Sequence, residues 1–538
     1  MNRRQFLRAS AIATAAALAP RRTLAQGNAG VPPAGEGRPD PRPIQNRNPK
    51  SQKPNILLIV ADDINHWVGY IGRNKQTRTP NLDRFAQQAV SFNHAYCPAP
   101  VCNPARCAFM SGLHPSTTGV YGNGVRWNSI VDEKKCLNGF LKANGYHTMG
   151  AGKVYHISGN PDLHTEGSQW DKYVVSFLGG ANEDAGDSEG GGDAAPAAAK
   201  TAESAPTKRG KGGGNKKSKM TAPGTAQNPG SNTEGYLKLG GMDIGSPDIP
   251  DSATEDNKTA RWGAAQLQQT YDKPFFMALG LHKPHTPMIV PKKYFDLFPL
   301  ETIELPPHIM NDADDLPAYS KKWTNTAPWR GVYGKGDAEG IKRWKQVIQA
   351  YLACVNYMDT QIGIVLDALA KSPHADNTIV LFLGDHGWHF GEKQRFYKFT
   401  LWEESARVPF MWRVPGLTPA EGATSARTVE TLSVFPTLCD LAGLPKPAYL
   451  QGASIKSLLE NPQAEWTRPA LTTFNYMNHT LRTEKWRYIR YEDGSEELYD
   501  EPADQYEWRN LAADPKYAAV KKDLAKWLPK ENVNRHRK

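Results

Sequence analysis

A short segment at residues 97–112 brings a cysteine and an arginine together at the predicted start of a helix. Pro104 suits the first turn of a helix because it has no N–H to leave unpaired there, and Gly112 suits the end. Cys102 would then lie at the helix N-terminus, where free N–H groups attract anions. Arg106, four residues later, returns to nearly the same face with a guanidinium suited to oxyanions. The spacing indicates an anion site beside a thiol, although a cysteine in an apolar segment is more often simply a buried side chain.

Four apolar segments lead directly into acidic, basic or imidazole side chains. They are residues 54–61 before Asp62 and Asp63, 146–152 before Lys153 and His156, 274–280 before His282 and His285, and 378–384 before Asp385 and His386. Continuous apolar segments of this length are typical of buried parallel strands, and ligands gather at the carboxyl ends of such strands. Any one of them could be a surface turn. Four together predict one site, whose three carboxylates suit Ca²⁺ or Mg²⁺ better than a soft metal.

The motif around Cys102 resembles that of a known family. Cys102-Asn103-Pro104-Ala105-Arg106, followed by Met110-Ser111-Gly112, is similar to the C-x-P-[SA]-R-x-x-x-[LM]-[TS]-G signature of the type I, formylglycine-dependent sulfatases. His386, the sequence GKVYH at 152–156 and HKPHTP at 282–287 resemble the iduronate-2-sulfatase branch. The resemblance covers about residues 52–511. It implies an alkaline-phosphatase-like α/β fold, in which helices sandwich a large mixed, mainly parallel sheet and a smaller C-terminal antiparallel sheet carries a packed helix.

The resemblance also implies roles for individual residues. Cys102 would be oxidised to formylglycine by a formylglycine-generating or anaerobic maturase enzyme, and its hydrated aldehyde would be the nucleophile. The implied metal ligands, around Ca²⁺ or Mg²⁺, are Asp62, Asp63, Cys102, Asp385 and His386. The implied catalytic residues are Cys102, Arg106, Lys153, His156, His285 and Lys398. In this scheme Lys153 and Lys398 neutralise the sulfuryl oxygens, His285 protonates the leaving oxygen and His156 lets the aldehyde form again.

Five further residues are candidates for a sugar subsite: Trp388, His389, Arg395, Tyr397 and His479. A Trp after a strand is at least as often plain packing. The leading interpretation is an exported sulfuric-ester hydrolase that acts on a sulfated carbohydrate. One alternative is a phosphonate monoester hydrolase or phosphodiesterase of the same superfamily. The other is a noncatalytic carbohydrate-binding protein, which requires Cys102 to stay a thiol.

The sequence divides into a predicted signal peptide, a leader, a catalytic domain and a C-terminal subdomain. Residues 1–25 have a paired arginine, an apolar segment too short for a membrane anchor and a small-residue cleavage site, which predicts a twin-arginine signal peptide. We therefore expect export by the twin-arginine translocase to the periplasm or beyond, without stable membrane insertion. Residues 26–50 read as a disordered leader, residues 51–447 as the catalytic domain and residues 448–538 as the C-terminal antiparallel-sheet subdomain. Covering helices are expected at 341–369 and 429–441, and a C-terminal helix from about Pro515.

Charge and low complexity limit the possible partners. The formal charge of +10 falls to about +5 when the five arginines of the predicted signal are removed. This mildly basic balance suits an anionic substrate, and no nucleic-acid-binding pattern is recognisable. Residues 181–235 contain seven acids, seven bases and almost no large apolar side chains, which predicts a disordered insertion. Its lysines could dock an anionic polymer, but charge runs are usually just solvated.

Overall fold

A nine-stranded mixed sheet organises the protein. The computed structural model describes residues 53–156, 168–174, 236–239 and 242–534. All of them belong to one unit spanning Gln52–Lys538. The predicted signal peptide at 1–25, the leader at 26–50 and the insertion at 181–235 lie outside the described residues. In the part of the chain that is described, no helix is both long and apolar enough to cross a membrane.

The strands and helices follow in chain order. The strands are β1 (Asn55–Asp62), β2 (Val90–Tyr96), β3 (His147–Gly152), β4 (Lys172–Val174), β5 (Tyr236–Leu239), β6 (Met242–Gly245), β7 (Phe275–Pro284), β8 (Met288–Ile289), β9 (Thr378–Gly384), β10 (His389–Phe390), β11 (Phe396–Tyr397), β12 (Arg407–Val408), β13 (Phe410–Arg413), β14 (Ala423–Glu430), β15 (Ala470–Thr473), β16 (His479–Arg482), β17 (Trp486–Arg490) and β18 (Glu496–Asp500). The helices are α1 (Pro80–Ala86), α2 (Cys102–Ser111), α3 (Pro115–Thr118), α4 (Leu137–Ala143), α5 (Glu255–Leu267), α6 (Lys292–Phe295), α7 (Ala318–Lys321), α8 (Ala327–Tyr333), α9 (Ala338–Ala370), α10 (Glu403–Ala406), α11 (Val434–Ala442), α12 (Lys456–Glu460) and α13 (Ala518–Leu524).

The four strands expected from the sequence are neighbours in the large sheet. Its order is β12-β2-β13-β9-β1-β7-β3-β4, with β14 also paired to β2. Strand β1 lies between β9 and β7, β3 follows β7, and all these pairs are parallel. Their carboxyl ends therefore meet at one edge, as predicted. Strand β13 is antiparallel to its neighbours β9 and β2, which makes the sheet mixed.

Both faces of the sheet are covered, which explains why its strands are apolar throughout. Leu57 and Ile59 of β1 pack into a core that includes helix α9, whereas Ile56 and Leu58 pack into the opposite core with residues of α2, α4 and α11. All eight residues of β1 are buried. A strand covered by helices on both faces gains apolar burial from every side chain, so its sequence shows no alternation. The predicted sandwich of helices around a mainly parallel sheet is confirmed.

The expected covering helices are confirmed except at one end. Helix α9 spans Ala338–Ala370 and includes the predicted 341–369. The helix predicted at 429–441 begins only at Val434, because Val429 and Glu430 continue strand β14 and pair with Ala95 and Tyr96 of β2. The prediction was wrong over this first part. Hydrogen bonding to a neighbouring strand overrode the local apolar spacing that had favoured a helix.

The C-terminal sheet is also confirmed. Strands β15 to β18 form an antiparallel sheet in chain order, and Leu524 of α13 joins its apolar cluster. The fully buried Arg487 of β17 contacts the carboxylates of Glu403, Glu501 and Glu507. Because Glu403 begins α10, within the chain that follows β9, this ionic cluster ties the C-terminal sheet to the segment that carries part of the site.

Candidate active site

The candidate nucleophile lies at the start of a buried helix. Helix α2 begins at Cys102 and ends before Gly112, whose φ of 72° suits a residue without a Cβ. All ten helix residues are buried, Cys102 completely. The expected position of Cys102 at the helix N-terminus is therefore observed, and the Asn103 N–H of the first turn donates to Asn123 Oδ1 at 3.0 Å.

Arg106, one turn along α2, bridges two carboxylates from neighbouring strands. Its Nε donates to Asp385 Oδ2 at 2.9 Å, and its Nη2 donates to Asp62 Oδ1 at 3.2 Å. Its Nη1 donates to the backbone carbonyls of Lys153 and Val154. The Arg106 side chain is 0% exposed, so these contacts lie inside the protein. The guanidinium thus fixes the ends of β1, β3 and β9 relative to one another.

Two lysines bring positive charge to the same point. Lys153 Nζ lies 2.6 Å from Asp62 Oδ2. Lys398 Nζ donates to Asp63 Oδ1 at 3.0 Å and to Cys102 Sγ at 3.1 Å. Lys398 follows β11 and therefore reaches the site from outside the large sheet. Each ammonium group thus pairs with one of the two adjacent carboxylates, and that of Lys398 also contacts the candidate nucleophile.

The imidazoles complete the cluster. His386 Nε2 lies 3.1 Å from Cys102 Sγ and 3.4 Å from Asp63 Oδ1. His285 Nε2 lies 3.6 Å from Asp63 Oδ2, while its Nδ1 contacts the Thr286 carbonyl. His156 is fully buried, near enough to Lys153 and Asp62 for their charges to affect its pKa. The structure therefore brings the ten predicted catalytic and metal-binding residues together at the carboxyl ends of four strands.

Burial and charge shift the pKa values within this cluster. Burial opposes ionisation of Asp62, but the charges of Lys153 and Arg106 outweigh it and hold the pKa of this carboxyl well below its usual range. Burial, followed by the negative charge of Asp62, raises the pKa of Asp385. Burial and then the charge of Lys398 lower the pKa values of His285 and His386, so both rings are neutral at pH 7. A neutral imidazole can bind a metal or accept a proton.

The donor set of the cluster fits a divalent cation. One ligand atom from each of Asp62, Cys102, Asp385 and His386 lies within 4.8 Å of the others. The Asp385 Oδ1 atom also accepts the backbone N–H groups of Asp63 and His386, at 3.0 and 2.8 Å, which orients the carboxylate. Carboxylate oxygens are the ligands that Ca²⁺ and Mg²⁺ prefer. A cation here would bind carboxylates that also pair with Arg106, Lys153 and Lys398.

The five sugar-subsite candidates separate into two groups. Trp388 and Tyr397 adjoin Lys398: their rings lie 4.7 Å apart, and Lys398 Nζ is 5.7 Å from the Trp388 ring. His389 Nε2 contacts Thr400 Oγ1 at 2.8 Å, and Arg395 donates to backbone carbonyls. His479, on β16, has its Nδ1 2.9 Å from Thr473 Oγ1 of the next strand. The contacts of His389 and His479 are therefore with protein groups outside the cluster of ten, whereas Arg395 donates to the backbone carbonyl of Lys398, which belongs to it.

Sequence reasoning missed two residues that support the cluster. The Asp256 carboxylate of α5 accepts the backbone N–H groups of His282 and Lys283 at 2.7 and 2.9 Å, and so holds the turn before His285. The Tyr351 hydroxyl of α9 donates to the Asp63 carbonyl at 3.0 Å. An acid in a first helical turn reads as a favourable helix-dipole charge, and Tyr351 fits the apolar spacing of α9. Neither residue type at these positions gives a sequence signal for its contact.

Comparison with known proteins gives two family matches. The family model described as Sulfatase matches residues 54–444, and the model described as N-sulphoglucosamine sulphohydrolase, C-terminal, matches residues 384–534. A protein of Formosa agariphila named Sulfatase is 36% identical over 489 residues, which cover 89% of this chain and 87% of the relative. Iduronate 2-sulfatase of Homo sapiens is 30% identical over 431 residues, covering 73% and 70%.

Solved structures share the fold. The phosphonate monoester hydrolase of Agrobacterium radiobacter superposes with a TM-score of 0.68 at 22% identity, covering 88% of this chain and 94% of that one. A structure solved with its substrate D-glucosamine-2-N,6-O-disulfate has a TM-score of 0.64 at 22% identity, covering 88% of this chain and 96% of that one. At this identity the likeness concerns the fold alone.

Proposed function

The chain belongs to the sulfatase family, and from that membership we propose that it removes sulfate from a sulfated carbohydrate. As a sulfatase it hydrolyses sulfate esters. The observation that carries the finer proposal is the position of Cys102, at a helix N-terminus with Lys398 Nζ 3.1 Å from its Sγ and three aspartates beside it. The site therefore combines a nucleophile, ammonium groups that can bind an anionic ester, and carboxylate ligands for a hard metal ion.

We assign the nucleophile to an oxidised form of Cys102. Burial, followed by the charge of Asp62, raises the pKa of this thiol well above its usual value, and a protonated thiol is a weak nucleophile. Formylglycine at this position would supply a hydrated aldehyde, whose two geminal hydroxyls would provide an attacking oxygen and a route for the release of sulfate. A divalent cation held by Asp62, Asp63, Asp385 and His386 would supply the Lewis acidity that activates this nucleophile.

The other side chains bind the ester and move protons. Lys153 and Lys398 neutralise the sulfuryl oxygens, on which negative charge is spread in the transition state. His285 donates a proton to the leaving oxygen, and the bound anionic ester raises its proton affinity against the lowering by burial. His156 accepts a proton from the nucleophile in the second step. Arg106 holds Asp62 and Asp385, so its part is to keep the carboxylates in place.

The carbohydrate substrate and the cellular location are also proposals. The named relatives include iduronate 2-sulfatases, and one solved neighbour holds a sulfated glucosamine. The paired Arg3 and Arg4 and the apolar segment after them support export through the twin-arginine translocase. The motif around Cys102 supports its maturation by a formylglycine-generating or anaerobic maturase enzyme. Replacing both arginines by lysine should keep the protein out of the periplasmic fraction; an unchanged distribution would refute this route.

Two measurements test the function. The peptide containing Cys102 should be about 18 Da lighter than its sequence mass, as expected for formylglycine. The purified protein should turn over an aryl sulfate faster than an aryl phosphodiester; the reverse order would favour the phosphonate monoester hydrolase or phosphodiesterase alternative. An unmodified thiol with no turnover would leave the carbohydrate-binding alternative. The control variant is Cys107→Ala, which replaces another buried cysteine of the helix that begins at Cys102. Because Cys107 belongs to the apolar core, this variant should keep both the mass change at Cys102 and the activity.

A further inference from the structure

We propose that Arg395 is a positioning residue for Lys398 and does not bind sugar. Its Nε and Nη2 both donate to the Lys398 carbonyl, at 3.1 and 2.6 Å, and its Nη1 donates to the Trp323 carbonyl at 2.6 Å. Only 6% of Arg395 is exposed. The guanidinium fork thus clamps the peptide group of the lysine to the chain that follows α7. The inference rests on the proposed role of Lys398 in binding the sulfate ester.

The backbone around Lys398 needs such a clamp. Tyr397 has a φ of 70° and Phe399 a φ of 71°, so two aromatic residues flank the lysine in the left-handed region. This conformation is unfavourable for any residue with a Cβ, and it persists only when the surroundings enforce it. Two hydrogen bonds from a charged donor to the carbonyl between these residues are a restraint of the required strength.

The clamp matters because the lysine side chain is long and flexible. The Lys398 ammonium must lie 3.1 Å from Cys102 Sγ and 3.0 Å from Asp63 Oδ1, at the end of a four-carbon stem. Its Nζ lies 5.7 Å from the ring centroids of both Trp388 and Phe399, which limit its sideways motion. The rings cannot fix the start of the stem, which is set by the backbone. Arg395 fixes that backbone, and a displacement of about 1 Å at a reacting group can reduce the rate by about 100-fold.

A double-mutant cycle on a small aryl sulfate separates positioning from sugar binding. Arg395→Ala, Lys398→Ala and the double variant are compared with the wild type on 4-nitrophenyl sulfate, which has no sugar. We expect Arg395→Ala to lower kcat by roughly 10- to 100-fold with KM little changed. The double variant should be no slower than Lys398→Ala, because the clamp has nothing left to position. Arg395→Lys keeps the charge without the fork and should recover only part of the rate.

The matched control is Arg427→Ala. The Arg427 Nε and Nη2 also donate to two backbone carbonyls, at 2.9 Å each, but these belong to Ala464 and Gln463 and not to Lys398. The Arg427→Ala variant should therefore leave kcat unchanged. The proposal is overturned if the losses in the double variant multiply, or if Arg395→Ala slows only a sulfated saccharide and leaves the aryl sulfate unaffected. If Arg395→Ala does not fold, the same cycle is run with Arg395→Lys.

A readout without turnover keeps this inference distinct from the proposed function. A wild-type protein that hydrolyses no sulfate ester would refute the function. A crystal structure of Arg395→Ala, or of Arg395→Lys if the first does not fold, then decides the inference. Movement of Lys398 Nζ by more than about 1 Å from Cys102, with a changed φ at Tyr397 or Phe399, supports the clamp. An unmoved lysine overturns it.

Discussion

The substitution Arg106→Lys should separate the organisation of the cluster from its charge. It keeps one positive charge but removes the fork that joins Asp385 Oδ2 at 2.9 Å and Asp62 Oδ1 at 3.2 Å. A single ammonium on a shorter side chain satisfies at most one of these carboxylates, and the carbonyls of Lys153 and Val154 also lose their donor. All of these groups are buried, so solvent cannot replace the lost contacts.

The size of the effect follows from these contacts. One lost hydrogen bond between charged groups costs roughly 1.5–3 kcal/mol, and an unsatisfied buried carbonyl costs about 1–3 kcal/mol. Together they predict a loss of roughly 3–5 kcal/mol in the free energy of unfolding, similar to breaking a buried ion pair. Because Asp62 and Asp385 would no longer be held in place, the affinity for Ca²⁺ should fall by roughly 10- to 100-fold. The rate on an aryl sulfate should fall with it.

Urea unfolding of the metal-loaded protein and a calcium titration provide the two measurements. The control is Arg84→Lys, whose guanidinium lies 2.7 Å from Asp367 with both side chains half exposed. Its cost should be below about 1 kcal/mol, as for other surface ion pairs. If Arg106→Lys loses less than about 1 kcal/mol and binds Ca²⁺ as the wild type does, the bridge does not organise the carboxylates.

Three further predictions concern the nucleophile, the metal and a buried acid. Cys102→Ala should abolish turnover but keep the thermal unfolding profile, and appreciable activity would remove Cys102 from the mechanism. Chelation should inactivate the protein and Ca²⁺ should restore activity better than Zn²⁺, with Asp385→Asn weakening calcium binding and turnover together; full activity without detectable metal would contradict this. Burial raises the pKa of Glu430 to about 7, above the unfolded value, so its contribution to stability is complete below about pH 4.5 and is lost as the pH rises through 7. In Glu430→Gln the amide oxygen can still accept the Leu471 N–H, but the side chain does not titrate. Between pH 5 and pH 8 the free energy of unfolding of this variant, measured in urea, should therefore rise by up to about 3 kcal/mol relative to that of the wild type. The same pH dependence of the unfolding free energy in both proteins would refute the raised pKa.

The sequence by itself determined the elements that carry the cluster. Apolar segments of strand length, each followed by charged side chains, predicted β1, β3, β7 and β9, and the Pro104 and Gly112 signals predicted α2. These signals are local: burial on both faces requires an apolar strand whatever its neighbours are, and Pro and Gly act on their own backbone. The convergence of the strand ends followed from parallel pairing.

Only the tertiary structure decided which groups meet. Arg106 lies 279 residues from Asp385, and composition does not encode that it contacts carboxylates. Two positive-φ residues turn the Lys398 carbonyl towards the Arg395 guanidinium, and no sequence pattern predicts a left-handed Tyr397 or Phe399. Val429 has the apolar character of a helix position, yet pairing with β2 makes it part of a strand. In each case the deciding energy comes from contacts between residues distant in the chain, which local propensity cannot report.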